Sequence, residues 1–201
     1  MSENPMVTLA RAYNFAAARH VDQRRKGEAA EPYMNHLAEV AELVALATRG
    51  TDPEIIIAAV LHDSVEDTET SVNELTAMFG ERVAKLVSEV TDDKSLLPET
   101  RKALQVAHAA NASRGAQIIK LADKTSNLRS LAASPPKGWS DERRMKYVAW
   151  ASQVVDACRQ ADPWLAGQFD LAAAALQSAN PPASIVRAPA ESRPVAEAAG
   201  R

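Results

Sequence analysis

The sequence predicts an all-α protein built from one helical domain. Apolar residues recur at helical spacing over almost all of residues 1–177, turn-forming and helix-capping residues separate these stretches, and no segment alternates as a strand would. A chain of 201 residues, 46% hydrophobic and 24% charged, can bury one substantial core. We therefore expect a single helical bundle over residues 1–177. Residues 178–201 are rich in proline, alanine and charge without periodicity, so we expect a disordered tail there.

Composition narrows the possible partners and compartments. The net charge of −3 argues against a protein that binds nucleic acid polymers through a broad basic face. The longest uncharged apolar run is far too short to cross a bilayer, and the N-terminus lacks the order of a signal peptide, so no membrane association is expected. The single cysteine, Cys158, suits a reducing compartment, and its apolar neighbours predict a buried, inert thiol. We expect a cytoplasmic protein.

Each predicted helix follows from its own pattern. Residues 6–24 carry an apolar stripe. Gly27 and Pro32 mark a break after it, and a second stripe begins at His36. Pro53 suits the first turn of a helix that runs into His62. The remaining helices are expected at about 72–79, 81–91, 99–111, 114–130, 140–160 and 163–178. Ser71 with Glu74 marks the start of the first of these helices and Gly80 marks its end, and Ser140 marks the start of the helix at 140–160.

The stretch "LHDSVEDT", residues 61–68, ends an apolar helix with groups that are costly to bury. Adjacent helical residues point about 100° apart, so His62 and Asp63 can meet at one ion only at a helix end or between helices. Glu66 and Asp67 follow four residues after each of them. For an isolated His-Asp pair, a polar helix terminus with solvated acids is the better interpretation.

Two further residues change that interpretation. His36 lies on a helix with an apolar face, and Asp123 lies inside the apolar stripe of "IIKLADKTSNL". A hydrogen-bonded core histidine or a cap would explain either residue alone, but a buried carboxylate is costly without a partner. Together, His36, His62, Asp63 and Asp123 form a mixed nitrogen and oxygen ligand set drawn from three helices.

At this point the sequence resembles a known family. The blocks "RRKGEAAEPYMNH", "AAVLHDSVEDTETS", "FGERVAKLVSEVTDDKSL", "KLADKTSNLRSL" and "GWSDERRMKYVAWASQVV" occur in the order seen in HD-domain phosphohydrolases of the RelA/SpoT hydrolase family. The greatest similarity is to the stand-alone small alarmone hydrolases of the Mesh type, over about residues 6–177. One departure is Leu37, where the family commonly has proline; it should alter the helix start and leave the ligand in place.

The resemblance implies a metal site and a catalytic pair. It makes His36, His62, Asp63 and Asp123 the metal ligands, with manganese as the expected ion and zinc or iron as alternatives. It makes Glu66 and Asp67 the pair that orients or deprotonates the attacking water.

The resemblance also implies substrate contacts. Asn127 would hold substrate or water, and Arg25 and Lys26 match the family's loop that meets the nucleotide. By its own chemistry the Arg25 guanidinium can stack on a purine, and Lys26 and Lys94 can neutralise phosphates. A solvated charge run is the alternative for "RRK". For Tyr147, a contact near the nucleotide and a place in the core stripe are equally good interpretations. His20 and His108 match no ligand position and are interpreted as structural or surface residues.

The expected activity is metal-dependent hydrolysis of the 3′-pyrophosphate of guanosine 3′,5′-bis(diphosphate), ppGpp, or of pppGpp, to GDP or GTP. The resemblance thus implies an enzyme of the stringent response that acts on a guanosine nucleotide. One alternative is an HD-domain phosphatase for another phosphorylated nucleotide such as NADPH. The other is a non-catalytic nucleotide-binding regulator. The sequence leaves the oligomeric state open.

Overall fold

The computed structural model describes residues 4–179, and throughout that range the regular elements are helices joined by loops. The helices are α1 Pro5–Arg19, α2 Met34–Thr48, α3 Pro53–Leu61, α4 Ser64–Asp67, α5 Val72–Phe79, α6 Glu81–Val90, α7 Pro98–Ala109, α8 Arg114–Ala133, α9 Asp141–Cys158 and α10 Pro163–Ala179. A 3₁₀ turn at Arg159–Ala161 joins the last two helices. Within residues 4–179 the β pairing amounts to two isolated bridges, so the prediction of an all-α fold is confirmed.

The helix starts follow the capping residues that the sequence offers. The side chain of Asp52 accepts a hydrogen bond from the Ile55 amide (3.3 Å), and Pro53 occupies the first turn of α3. Ser140 caps α9 in the same way. Ser71 accepts from the Glu74 amide (3.1 Å), whereas the Glu74 carboxylate pairs with Arg19 rather than completing a capping box. The caps therefore fix where these helices begin, and the Glu74 carboxylate joins α5 to α1.

The core surrounds two helices, α3 and α8. Every residue from Ile55 to Leu61 is buried, because α3 packs against α1, α2 and α6. Helix α8 lies against α2, α9 and α10 and is buried over most of its length. Cys158 is a free, buried thiol, and burial raises its pKa to about 11, as expected for an inert cysteine. None of the helices described here combines the length and the apolarity needed to span a bilayer.

The ends of several helices differ from the prediction by a few residues, and the largest difference is at the end of α1. Helix α1 ends at Arg19, and the chain then folds into a loop in which the Arg25 amide donates to the Glu31 carbonyl (2.8 Å). Gly27 lets this loop approach α8, because a Cβ atom there would lie 2.3 Å from the Ser134 carbonyl oxygen. Helix α10 includes residues 178 and 179 of the predicted disordered segment. The rest of that segment, from residue 180 onward, lies outside the described residues.

Candidate active site

The break between α3 and α4 brings adjacent side chains to one place. His62 is the residue that follows α3, and Asp63 precedes α4, so both lie at a helix end. In that position His62 Nε2 lies 3.1 Å from Asp63 Oδ2. This is the helix-end geometry that two neighbouring residues require to meet at one ion.

His36 on α2 and Asp123 on α8 reach the same place. His36 Nε2 lies 3.4 Å from Asp123 Oδ1 and 3.6 Å from Asp63 Oδ2. One ligand atom each from His36, His62 and Asp123 lies within 4.8 Å of the other two. Two atoms that each lie about 2.1 Å from a shared ion are about 3–3.5 Å apart, so the 3.1–3.6 Å separations between the imidazole nitrogens and the carboxylate oxygens suit a metal centre. The structure therefore brings together all four ligands expected from the sequence.

The hydrogen bonds on the far side of each imidazole determine which nitrogen faces the centre. Ser126 Oγ donates its one proton to Glu39 (2.7 Å), so it accepts from His36 Nδ1 (2.9 Å). His62 Nδ1 donates to the Ala59 carbonyl oxygen (2.8 Å), which can only accept. In the neutral rings, both Nε2 atoms therefore direct a lone pair at the centre, as metal-ligating histidines do. Within residues 4–179, His62 Nε2 is buried without a hydrogen-bond partner.

The site favours positive charge at its centre. Burial disfavours the His62 imidazolium, but the carboxylates of Asp63 and Asp123 outweigh it and raise the pKa of His62 to about 9. Burial likewise opposes ionisation of Asp123, yet the nearby Lys124 ammonium (2.8 Å) and the histidines hold its pKa well below the usual range. Two ionised carboxylates and two imidazole nitrogens form a donor set suited to a divalent cation.

Helix α4 presents Glu66 and Asp67 beside this centre. Glu66 accepts a hydrogen bond from the Asp92 amide (3.1 Å). Burial and the neighbouring carboxylates raise the pKa of Glu66 to about 7 despite this bond. A carboxyl group with that pKa can accept and release a proton near neutral pH. Asp67 instead forms an ion pair with Lys94, which links α4 to the loop after α6.

Arg25 and Asn127 border the ligands. Asn127 Nδ2 donates to Asp123 Oδ1 (2.5 Å), and Arg25 Nη2 donates to Asn127 Oδ1 (2.9 Å). The Arg25 guanidinium also lies over the ring of Tyr33, 5.8 Å from its centroid. Lys26 is exposed and makes no hydrogen bond or ion pair in the described part of the chain. Arg25 and Asn127 are thus held beside the candidate ligands, whereas Lys26 has no such contact among the described residues.

Tyr147 packs against the core, as one of the two interpretations of the sequence expects, and its contact with the nucleotide stays a prediction. Its ring lies between Trp139 and Trp150, with centroids 6.0 and 5.4 Å away, and it packs against the core. Burial raises the pKa of its hydroxyl to about 12 against the opposing charge of Lys124, so the group stays protonated and can donate a hydrogen bond.

The sequence reasoning missed Tyr33 and Ser126. Tyr33 Oη donates to Asp63 Oδ2 (2.5 Å), and Ser126 contacts the ring of His36. Both residues are three positions from an expected ligand, Tyr33 before His36 and Ser126 after Asp123. On a helix that spacing places side chains on the same face, so the spacing alone could have marked both residues as neighbours of the site. Their partners, however, are on other segments and become known only once the helices have packed.

Comparison with known proteins finds similarity over most of this chain. The HD domain family matches residues 12–152. The guanosine-3′,5′-bis(diphosphate) 3′-pyrophosphohydrolase MESH1 of Xenopus tropicalis is 45% identical over 159 residues, which cover 79% of this chain and 89% of that protein. MESH1 of Homo sapiens is 48% identical over 147 residues, covering 73% and 82%. Among solved structures, a metazoan ortholog of SpoT that hydrolyses ppGpp superposes with a TM-score of 0.80 at 42% identity, over 85% of this chain and 96% of that one.

Proposed function

The chain belongs to the HD-domain family, and we propose that it hydrolyses the 3′-pyrophosphate of guanosine 3′,5′-bis(diphosphate) or its triphosphate relative, releasing pyrophosphate and GDP or GTP. The relatives named for this activity support the substrate class. The observation that carries the proposal is the pair of histidine Nε2 atoms, of His36 and His62, directed at one point beside two carboxylates.

We propose His36, His62, Asp63 and Asp123 as the ligands of a divalent cation, with manganese as the expected ion and zinc or iron as alternatives. A cation bound there would lower the pKa of a water molecule and neutralise charge on phosphoryl oxygens. The chain's own contribution is to hold the four ligand groups in place. Ser126, the Ala59 carbonyl and Tyr33 orient three of them through hydrogen bonds.

Glu66 and Asp67 are proposed as the catalytic pair. With a pKa of about 7, Glu66 can take a proton from the attacking water at neutral pH and release it afterwards. Asp67 is paired with Lys94, so a phosphate that attracts the Lys94 ammonium would leave the Asp67 carboxylate free to orient water. This arrangement would couple substrate binding to the charge at Asp67.

The proposed substrate contacts extend outward from this pair. Arg25, held by Asn127, offers a planar guanidinium that can stack on the guanine ring. The ammonium groups of Lys26 and Lys94 would neutralise phosphates, and the Tyr147 hydroxyl would donate to an oxygen of the nucleotide. We also propose a cytoplasmic location, which the free thiol of Cys158 supports.

A nucleotide panel tests the proposal. Purified protein is stripped of metal, reloaded with manganese, zinc or iron, and incubated with ppGpp, pppGpp, NADPH and GDP, and the products are separated by chromatography. The proposal expects pyrophosphate with GDP from ppGpp, and the greatest rate with manganese. Release of phosphate from NADPH without turnover of ppGpp would reassign the substrate. Binding of ppGpp without turnover under every metal would make the chain a regulator.

A further inference from the structure

A buried pair of residues on the loop after α1 reaches the helix that carries the proposed catalytic carboxylates. His20 is 2% exposed, and its ring Nδ1 lies 2.7 Å from Gln23 Oε1. Gln23 Nε2 donates to the carbonyl oxygen of Asp67 (2.8 Å). We infer that His20 and Gln23 are positioning residues, which hold α4 in the place where Glu66 and Asp67 can act. This inference rests on the proposed role of those two carboxylates.

The direction of each hydrogen bond follows from the groups involved. A carbonyl oxygen only accepts, so the amide nitrogen of Gln23 must face Asp67 and its oxygen must face His20. His20 Nδ1 therefore carries a proton and donates it to Gln23. His20 Nε2 is left buried and without a partner in the described residues, which is a stability cost. The fold thus buries a histidine here although one of its nitrogens is unsatisfied among the described residues.

Helix α4 needs support of this kind because it is one turn long. It contains four residues, and so short a helix is unstable without tertiary contacts. The last carbonyl groups of a helix have no partner within it. Within residues 4–179, the Gln23 amide is the one donor that hydrogen-bonds to the Asp67 carbonyl. Removing that donor leaves the C-terminal end of α4 without this anchor.

The same loop also orients a proposed metal ligand. The Tyr33 amide donates to the Gln23 carbonyl (3.1 Å), and the His20 ring stacks on Tyr33 at 5.3 Å. Tyr33 Oη in turn donates to Asp63 (2.5 Å). Gln23 is thus connected to Asp63 through Tyr33 and to Asp67 directly. The pair fixes the metal ligand and the catalytic carboxylate relative to each other, which is the distance that matters for attack on a phosphoryl group.

Gln23→Met tests the inference, because methionine keeps the length of the side chain but neither donates to Asp67 nor accepts strongly from His20. We expect kcat for ppGpp to fall by about 10- to 100-fold, with KM and bound metal nearly unchanged. Gln117→Met is the matched control, since Gln117 Nε2 also donates to a carbonyl oxygen at a helix end, that of Ala109 (2.9 Å). Equal kcat values for the two variants would overturn the inference.

A second measurement needs neither substrate nor turnover. Hydrogen exchange of the metal-free protein should show faster exchange of the Asp67 and Thr68 amides in Gln23→Met, with α1 unchanged. Wild-type protein that hydrolyses no pyrophosphate ester would refute the proposed function, yet this measurement would still decide whether the pair holds α4. Unchanged exchange at α4 would overturn the inference.

His20→Phe separates positioning from general stability. Phenylalanine keeps the stacking on Tyr33, removes the unsatisfied Nε2 and removes the donor to Gln23. We expect the melting temperature to stay close to that of the wild type while kcat falls by about 3- to 10-fold. This variant also decides the question if Gln23→Met does not fold. A melting temperature that falls without any change in kcat would assign His20 to the core alone.

Discussion

Replacing Glu66 by glutamine should stabilise the metal-free protein while it disables the proposed reaction. The pKa of Glu66 rises from 4.5 to about 7 on folding, chiefly because its carboxyl group is removed from water. A rise of that size corresponds to a destabilisation of about 3 kcal/mol once the group is ionised. Glu66 is only partly buried, so solvent screening reduces the expected effect to about 1–2 kcal/mol.

The pH dependence fixes the sign of this effect. Below pH 4.5 the carboxyl group is protonated in the folded and the unfolded chain, so the two proteins should be equally stable. As the pH rises from 4.5 to about 7, the unfolded chain ionises first and the wild type loses stability. Above that range, Glu66→Gln should melt about 3–6 °C higher than the wild type.

Thermal unfolding of metal-free protein between pH 4 and 9 measures the effect. Glu69→Gln is the matched control, because Glu69 is an exposed carboxylate in the same segment and its replacement should leave the melting curve unchanged. Turnover of Glu66→Gln should also fall by about 100-fold, since glutamine cannot take a proton from water. Melting temperatures that differ by the same amount at every pH, or not at all, would refute the argument from burial.

The remaining predictions concern the metal and the nucleotide. Asp63→Ala should lose bound metal and turnover together, because a charged ligand is removed. Elemental analysis measures the metal, with Asp22→Ala, a change at an exposed carboxylate, as the control. A full metal complement in Asp63→Ala would contradict the ligand assignment. Ser126→Ala should weaken metal affinity by about 10- to 100-fold in a chelator competition, because the His36 ring loses its orienting contact. Arg25→Ala should raise KM for ppGpp by about 5- to 30-fold, and less for a phosphate ester without a purine. Kinetics equal to those of Arg24→Ala at two ionic strengths would remove Arg25 from the site.

Helical periodicity and caps were readable from the sequence because they depend on local spacing. The apolar run from Ile55 to Leu61 predicted a buried helix, and Pro53 and Ser140 mark the starts of α3 and α9 as their chemistry suggests. The resemblance to HD-domain phosphohydrolases is confirmed by the family match and by the solved relative. The end of α1 was predicted at residue 24, five residues beyond its true end at Arg19. The sequence pattern could not show this, because the loop that follows is held by long-range contacts such as that between Gly27 and Ser134.

The types and order of the candidate ligands came from the sequence, and the chemistry of the site came from the tertiary structure. His36, His62 and Asp123 are far apart along the chain, yet their residue types, their helical spacing and the family resemblance were enough to propose them as ligands. Which imidazole nitrogen faces the centre depends on partners such as Ser126, 90 positions from His36. The pKa of Glu66 depends on how much water reaches its carboxyl group, and the support of α4 depends on Gln23, 44 positions from Asp67. Burial and long-range hydrogen bonds exist only once the helices have packed, because local sequence does not specify which groups will exclude water from one another.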